Sequence, residues 1–228
     1  ILAFKFNLIS HIILNQFEHS LNFNLNSRSK SNTMCFDVTK PNYLLELNMT
    51  EFTLYTAENA PEEAKPLMAD SVAAFGMLPN LHAVMAEAPT LLKGYQVLHD
   101  LFQKTSFNAE ELTVVWQSIN VEHNCHYCVP AHSGIAASMK VDQDIVDALV
   151  NKTPLANPKL EALRETTLAM TRERGVISDE QIEKFFAAGY GKQQLLEIIV
   201  GLSQKVMSNY TNHLADTPVD APFKKYIK

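Results

Sequence analysis

Helix caps and breakers follow one another so closely along this chain that they leave room for little except a run of short helices. Pro61 suits the first position of a helix reaching about residue 75, Pro66 predicts a kink or a late start, and Gly76 and Pro79 end it. A short helix is expected over about 80–87. Pro89 opens the next, with Leu91, Leu92, Tyr95, Leu98, Leu101 and Phe102 on one broad apolar face. Asn108 caps another, in which Leu112, Val115 and Ile119 recur at helical spacing. Further helices are expected to about Met139, over 142–150, and from the Asn157-Pro158 signal to about Arg174, where Gly175 stops the chain. Ser178 with Gln181 reads as a capping box for a helix ending at Gly189. A last long helix over about 192–215 carries Leu195, Ile198, Ile199, Leu202 and Val206, and the tail beyond Pro218 reads as irregular and basic. Residues 52–56 form at most an extended lead-in. No credible set of strands appears, so the fold class is all-α.

One segment concentrates the reactive side chains: Glu122-His123-Asn124-Cys125-His126-Tyr127-Cys128-Val129-Pro130-Ala131-His132. Cys125 and Cys128 share a helix face, and one turn brings Cα atoms within the ~4.4–6.8 Å that a disulfide requires. His132 lies on the same stripe, a turn past Cys128. Asn124 is a good N-cap, which predicts a helix starting beside Cys125; Pro130 then falls late enough to kink it. A helix N-terminus favours thiolate, the reactive form of cysteine, and His132 is placed to take or orient the Cys128 proton. Three other readings stay open. The cysteines could be inert core residues, or a structural disulfide, which so short a loop makes a poor stabiliser. Cys125, Cys128, His132 and His123 could also bind zinc, but zinc modules draw ligands from two separated clusters and no second Cys/His pair exists here. We expect no metal and no cofactor.

Val121-Glu122-His123-Asn124-Cys125-His126-Tyr127-Cys128-Val129-Pro130-Ala131-His132-Ser133 resembles the signature of the carboxymuconolactone decarboxylase/alkyl hydroperoxidase D (AhpD-like) family, in its peroxidase-related branch. The flanking Leu78-Pro79-Asn80-Leu81, Ala86-Glu87-Ala88-Pro89, Asn209-Tyr210-Thr211-Asn212-His213 and Thr217-Pro218-Val219-Asp220 agree, so the resemblance covers about residues 52–228. It implies an AhpD-like helical bundle with the CxxC at the N-terminus of a central helix. It implies a thiol peroxidase, with Cys128 attacking the hydroperoxide, Cys125 resolving the sulfenic acid to a disulfide, and a thiol reductant or adaptor protein restoring the pair. His132 would be the base or relay. Thr113 stands where AhpD members carry a relay glutamate, which makes Glu122 the candidate acid. Tyr127, His123 and His213 are candidate pocket residues. Trimers or hexamers are implied, and the wide apolar helix faces also suggest a homo-oligomer. Two alternatives stand beside this: lactone decarboxylation of the carboxymuconolactone type, which has no use for a dithiol, and a non-enzymatic redox-sensing oligomer.

Composition narrows the setting. A net charge of −6 over 228 residues without a basic stripe gives nucleic-acid binding no electrostatic support. No apolar run approaches the ~20 residues of a membrane-spanning helix, so no membrane partner is expected. With 3 cysteines, 2 of them in the motif, a disulfide-stapled secreted scaffold is disfavoured and a cytoplasmic setting is expected. Residues 1–48 read as foreign to the rest: apolar but broken at the start, strand-like over 21–26, polar over 27–33, with an isolated Cys35. Met49 reads as a natural start. We therefore expect 1–48 to be a poorly ordered extension, from misassigned coding sequence or a cloning remnant, and 49–228 to be the helical domain.

Overall fold

The computed structural model describes residues 51–228, so the expectations for 1–48, including Cys35 and the strand-like 21–26, lie outside the described residues. The described chain is a bundle of α1 (Lys65–Phe75), α2 (Asn80–Met85), α3 (Pro89–Gln103), α4 (Ala109–Glu122), α5 (Cys128–Ser138), α6 (Gln143–Val150), α7 (Pro158–Arg172), α8 (Asp179–Ala187) and α9 (Lys192–Ala215), closed by a 3-10 helix (Ala221–Tyr226). No strand occurs among the described residues, and the all-α expectation holds.

Most helix ends fall where the caps put them. Asn108 accepts from the Glu111 backbone while the Glu111 carboxylate accepts from Asn108 N–H, and Ser178 and Gln181 form the same reciprocal pair. Asn157 and Asp142 cap α7 and α6. Pro66 does not kink α1; the helix starts late, at Lys65, so the ring sits in the first turn, where its missing N–H leaves no bond unmade. The tail is not irregular: Pro222 lies in the first turn of the 3-10 helix.

α4 is the centre of the bundle and packs against α5, α6, α7 and α9. Every residue from Glu111 to Val121 is buried, the polar Glu111, Thr113, Gln117, Ser118 and Asn120 included, because other helices flank α4 on several sides. Trp116, Val115 and Ile119 meet Phe102, Leu163, Phe185 and Ile198 in the main core, each such side chain stabilising the fold by ~1.5–3 kcal/mol. α9 crosses this core closely at Gly201, where a Cβ would lie 2.7 Å from the Phe102 ring and 3.0 Å from Val115. A second cluster, Met68, Leu81, Met85, Leu92, Tyr95 and Ala131, includes Cys125, Tyr127 and Cys128. The reactive segment is thus part of a core rather than a surface loop.

Candidate active site

The chain enters the site by a helix end that the sequence disguises. Asn124 is not an N-cap. It has φ 52°, in the left-handed region, and closes α4: its N–H bonds to Val121 O at 3.2 Å and Cys125 N–H to Asn120 O at 3.0 Å. This is a Schellman stop, with asparagine in the position usually held by glycine. The next helix, α5, opens at Cys128, with Cys125 in the turn before it; Val129 N–H already bonds to Cys125 O at 3.1 Å. Pro130 therefore sits in the first turn and kinks nothing.

Both thiols are free and buried. Cys128 N–H donates to Cys125 Sγ at 3.3 Å. Asn212 Nδ2 donates to Cys128 Sγ at 3.2 Å and lies 4.0 Å from Cys125 Sγ. Burial opposes charge on Cys128, but the Cys125 thiol donating to it, the Lys205 ammonium, and Ser208 and Asn209 outweigh that and hold its pKa below the ordinary thiol value. Cys125 moves the other way, because its proton is held in the bond to Cys128 and because it too is buried. The asymmetry makes Cys128 the thiolate and Cys125 the protonated partner.

α9 supplies most of the polar surroundings. Gln204, Lys205, Ser208, Asn209 and Asn212 are all completely buried, while Leu196, Ile199 and Leu214 on the same helix are 63%, 46% and 72% exposed. The expected inward face is therefore partly inverted: Ile198 is buried, but Ile199 is not. Lys205 Nζ lies 2.9 Å from His132 Nε2. Burial and the Lys205 charge push His132 well below the usual imidazole pKa, so it is neutral and accepts this bond. Trp116 donates to Gln204 at 2.7 Å, and its ring packs 4.9 Å from His132. Asn209 joins His123 and Asn120, and Asn120 continues to Gln117 and so to Ser133, tying α9, α4 and α5 together.

Tyr127 is buried and its hydroxyl bonds to the Asp220 carboxylate, which also accepts the Asn80 N–H at 3.0 Å; it latches the C-terminal segment over the site. His126 bonds to Thr217 O at 3.0 Å in the same latch. The 3-10 helix completes it: a Cβ on Gly134 would lie 2.6 Å from the Phe223 ring. His123 binds Asn209 and no thiol. His213 faces outward, and its neighbour Asn212 is the residue that reaches the sulfurs. Glu122 is held by Arg172 in a bidentate pair of 2.8 and 2.7 Å, which keeps its carboxyl pKa low. That pair lines a separate polar cleft with Lys152 and Glu165. Thr113 is buried and bonds to Ala109 O. Among the described residues no three His, Cys, Asp or Glu side chains converge as metal ligands.

A cavity of about 120 Å³ opens onto Cys128, His132 and Lys205, walled by Leu81, Tyr95 and Ile135 among others; Cys125 does not line it. Its outer wall of Phe75, His82, Tyr95 and His99 is shared with a broader cleft of about 650 Å³. Burial lowers His82 and His99 to about 4, so these two imidazoles are uncharged at neutral pH, while Asp70, Lys93 and Asp100 also line the broader cleft. A ligand in the inner cavity meets apolar side chains and neutral imidazoles, with Cys128 and Lys205 in its lining.

No family model and no curated protein matches the sequence. Solved structures do. An alkylhydroperoxidase AhpD core, an uncharacterized peroxidase-related protein from Ralstonia eutropha JMP134, superposes with a TM-score of 0.66 at 15% identity, covering 76% of this chain and 93% of that one. An uncharacterized peroxidase-related protein from Silicibacter sp. TM1040 gives 0.64 at 16%, covering 75% and 91%. The debrominase Bmp8, solved in complex with 2,3,4-tribromopyrrole as a cysteine-to-alanine variant, gives 0.65 at 17%, covering 78% and 96%. The chain has the AhpD-like fold of these structures.

Proposed function

We propose that this AhpD-like protein reduces hydroperoxides through a Cys125/Cys128 dithiol–disulfide cycle. The observation that carries the reading is the unequal pair of buried sulfurs, of which only Cys128 faces the cavity. The Cys128 thiolate attacks the terminal peroxide oxygen; an S–O bond forms and the O–O bond breaks, leaving a sulfenic acid and an alkoxide that takes a proton. Cys125 then displaces water from the sulfenic acid to give the disulfide, and a dithiol reductant or adaptor protein restores both thiols. Neutral His132 serves as a proton acceptor and relay beside Lys205. Glu122 is left out of this relay, because its carboxylate is committed to Arg172. Tyr127 and His123 shape the site through Asp220 and Asn209, and His213 is given no role.

Steady consumption of an organic hydroperoxide with dithiothreitol as reductant tests the reading. Wild type should turn over and C128S should not; with dithiothreitol left out, C125S should consume one equivalent and stop at the sulfenic acid. Equal turnover by wild type and C128S would refute it. A second reading comes from the aromatic cavity walls and the likeness to a debrominase. Cys128 would take a halogen from an aromatic ring, the ring would take a proton, and Cys125 would then expel halide as the disulfide forms. Halide release from a brominated pyrrole, with no hydroperoxide consumption, would favour it.

No described helix is long and apolar enough to cross a membrane. The exposed Leu196, Ile199 and Leu214 of α9 support self-association; the family resemblance implies a trimer or hexamer, and we propose a cytoplasmic setting from the low cysteine count. Sedimentation of a monomer at micromolar concentration would refute the assembly.

A further inference from the structure

We propose that Lys205 is the acid of this site: its ammonium holds Cys128 as thiolate and then protonates the alkoxide released when the peroxide bond breaks. The inference rests on the hydroperoxide reading above and assigns a proton donor that the sequence motif does not contain.

Lys205 is completely buried. Lysine is almost never so placed without a counter-charge, because an isolated ammonium in a core is several kcal/mol unfavourable. Among the described residues it forms no salt bridge with a carboxylate. Its hydrogen-bond partner is His132 Nε2, which is neutral and offers a lone pair but no charge. The groups that could balance it are the two sulfurs. Cys128 shares the cavity wall with Lys205, and Asn212 aims an N–H at the same sulfur. The other titratable groups around the cavity are His82, Tyr95, His99, Tyr127 and His132. Burial keeps the three imidazoles uncharged at neutral pH and raises both phenols. Burial lowers the Lys205 pKa while the Cys128 and Cys125 sulfurs raise it. Lys205 is the cation and Cys128 the anion of the buried pair proposed here, and the cavity that both line is where a peroxide must lie.

The proton balance closes around the cycle. Cys128 thiolate and a hydroperoxide give the sulfenic acid and an alkoxide. The alkoxide takes a proton from the Lys205 ammonium, directly or across His132, and leaves as the alcohol. Condensation with the Cys125 thiol releases water, whose second hydrogen comes from that thiol. Reduction by an external dithiol supplies two electrons and two protons. One proton stays on Cys125, and the other passes from Cys128 back to the Lys205 amine.

K205M removes the charge and fills the space, and K205Q replaces it if the first variant fails to fold. Alkylation of Cys128 by iodoacetamide as a function of pH involves no peroxide chemistry. Its midpoint should rise by about 1–3 pH units without the ammonium. At a pH where the thiol is ionised in both proteins, single-turnover oxidation by tert-butyl hydroperoxide should fall by ~10²–10⁴-fold. Oxidation by peracetic acid, whose acetate leaves without a proton, should keep its rate. An unmoved alkylation midpoint would overturn the ion pair, and equal loss with both oxidants would overturn the acid role. If wild type is inert to every hydroperoxide while K205M still shifts the midpoint, the ion pair stands and the peroxidase reading falls.

Discussion

Glu122–Arg172 and Lys205–Cys128 are both charge pairs, and their surroundings give them opposite weights. The first joins the C-terminal end of α4 to that of α7, with side chains 26% and 54% exposed. Water solvates either partner well, so the pair contributes little. The second is buried between α5 and α9 at the foot of the cavity, and removing one member leaves the other without its counter-charge. A carboxylate beside a cysteine motif invites a catalytic role; here the charge with chemical consequence is the buried one, contributed by a helix that starts more than sixty residues later.

Breaking each pair in turn measures that difference. The largest effect is expected for C128A, which leaves Lys205 without its counter-charge and should lower stability by about 3–5 kcal/mol at neutral pH. The sign follows from the lysine: burial already holds its folded pKa below the ordinary value, and losing Cys128 lowers it further. The penalty is therefore full below the folded pKa and fades as rising pH removes the proton. The double variant C128A/K205M should regain most of the loss in urea denaturation. N212A removes the N–H bond to the thiolate, worth about 1.5–3 kcal/mol for a charged acceptor, and should raise the Cys128 alkylation midpoint. G201A forces a Cβ against Phe102 one turn before Lys205, and should lower stability by about 1–3 kcal/mol in thermal melts. E122Q is the smallest: under about 1 kcal/mol, weaker still in high salt, with hydroperoxide turnover unchanged. Because the folded pKa of Glu122 is lowered, its contribution is present above the unfolded carboxyl pKa and disappears as acid titrates through the folded one.

Helix boundaries were legible wherever one residue type has one meaning. Asn108 with Glu111 and Ser178 with Gln181 are reciprocal caps that little else mimics. Asn124 misleads because asparagine serves both as an N-cap and as a left-handed helix stop, and which of the two applies depends on the Val121 and Asn120 carbonyls behind it. α9 misleads for a different reason. Gln204, Ser208 and Asn212, with Lys205 and Asn209, recur at helical spacing and so mark a polar stripe. Periodicity marks a stripe but not which way it points, and polar stripes usually face water. Here the helix turns that stripe inward because Cys128, His132, Asn120 and Trp116 satisfy it. The signal available was the Asn-x-x-Asn spacing in the stretch that accompanies the cysteine motif. It drew attention to His213, the outward neighbour of the residue that matters.

The most direct test is to treat the reduced full-length protein with one equivalent of cumene hydroperoxide and map the oxidised residues by peptide mass. The account predicts a disulfide between Cys125 and Cys128, formed before any other side chain changes. Oxygen added to Cys35 or to methionine, with Cys125 and Cys128 both still thiols, would contradict it.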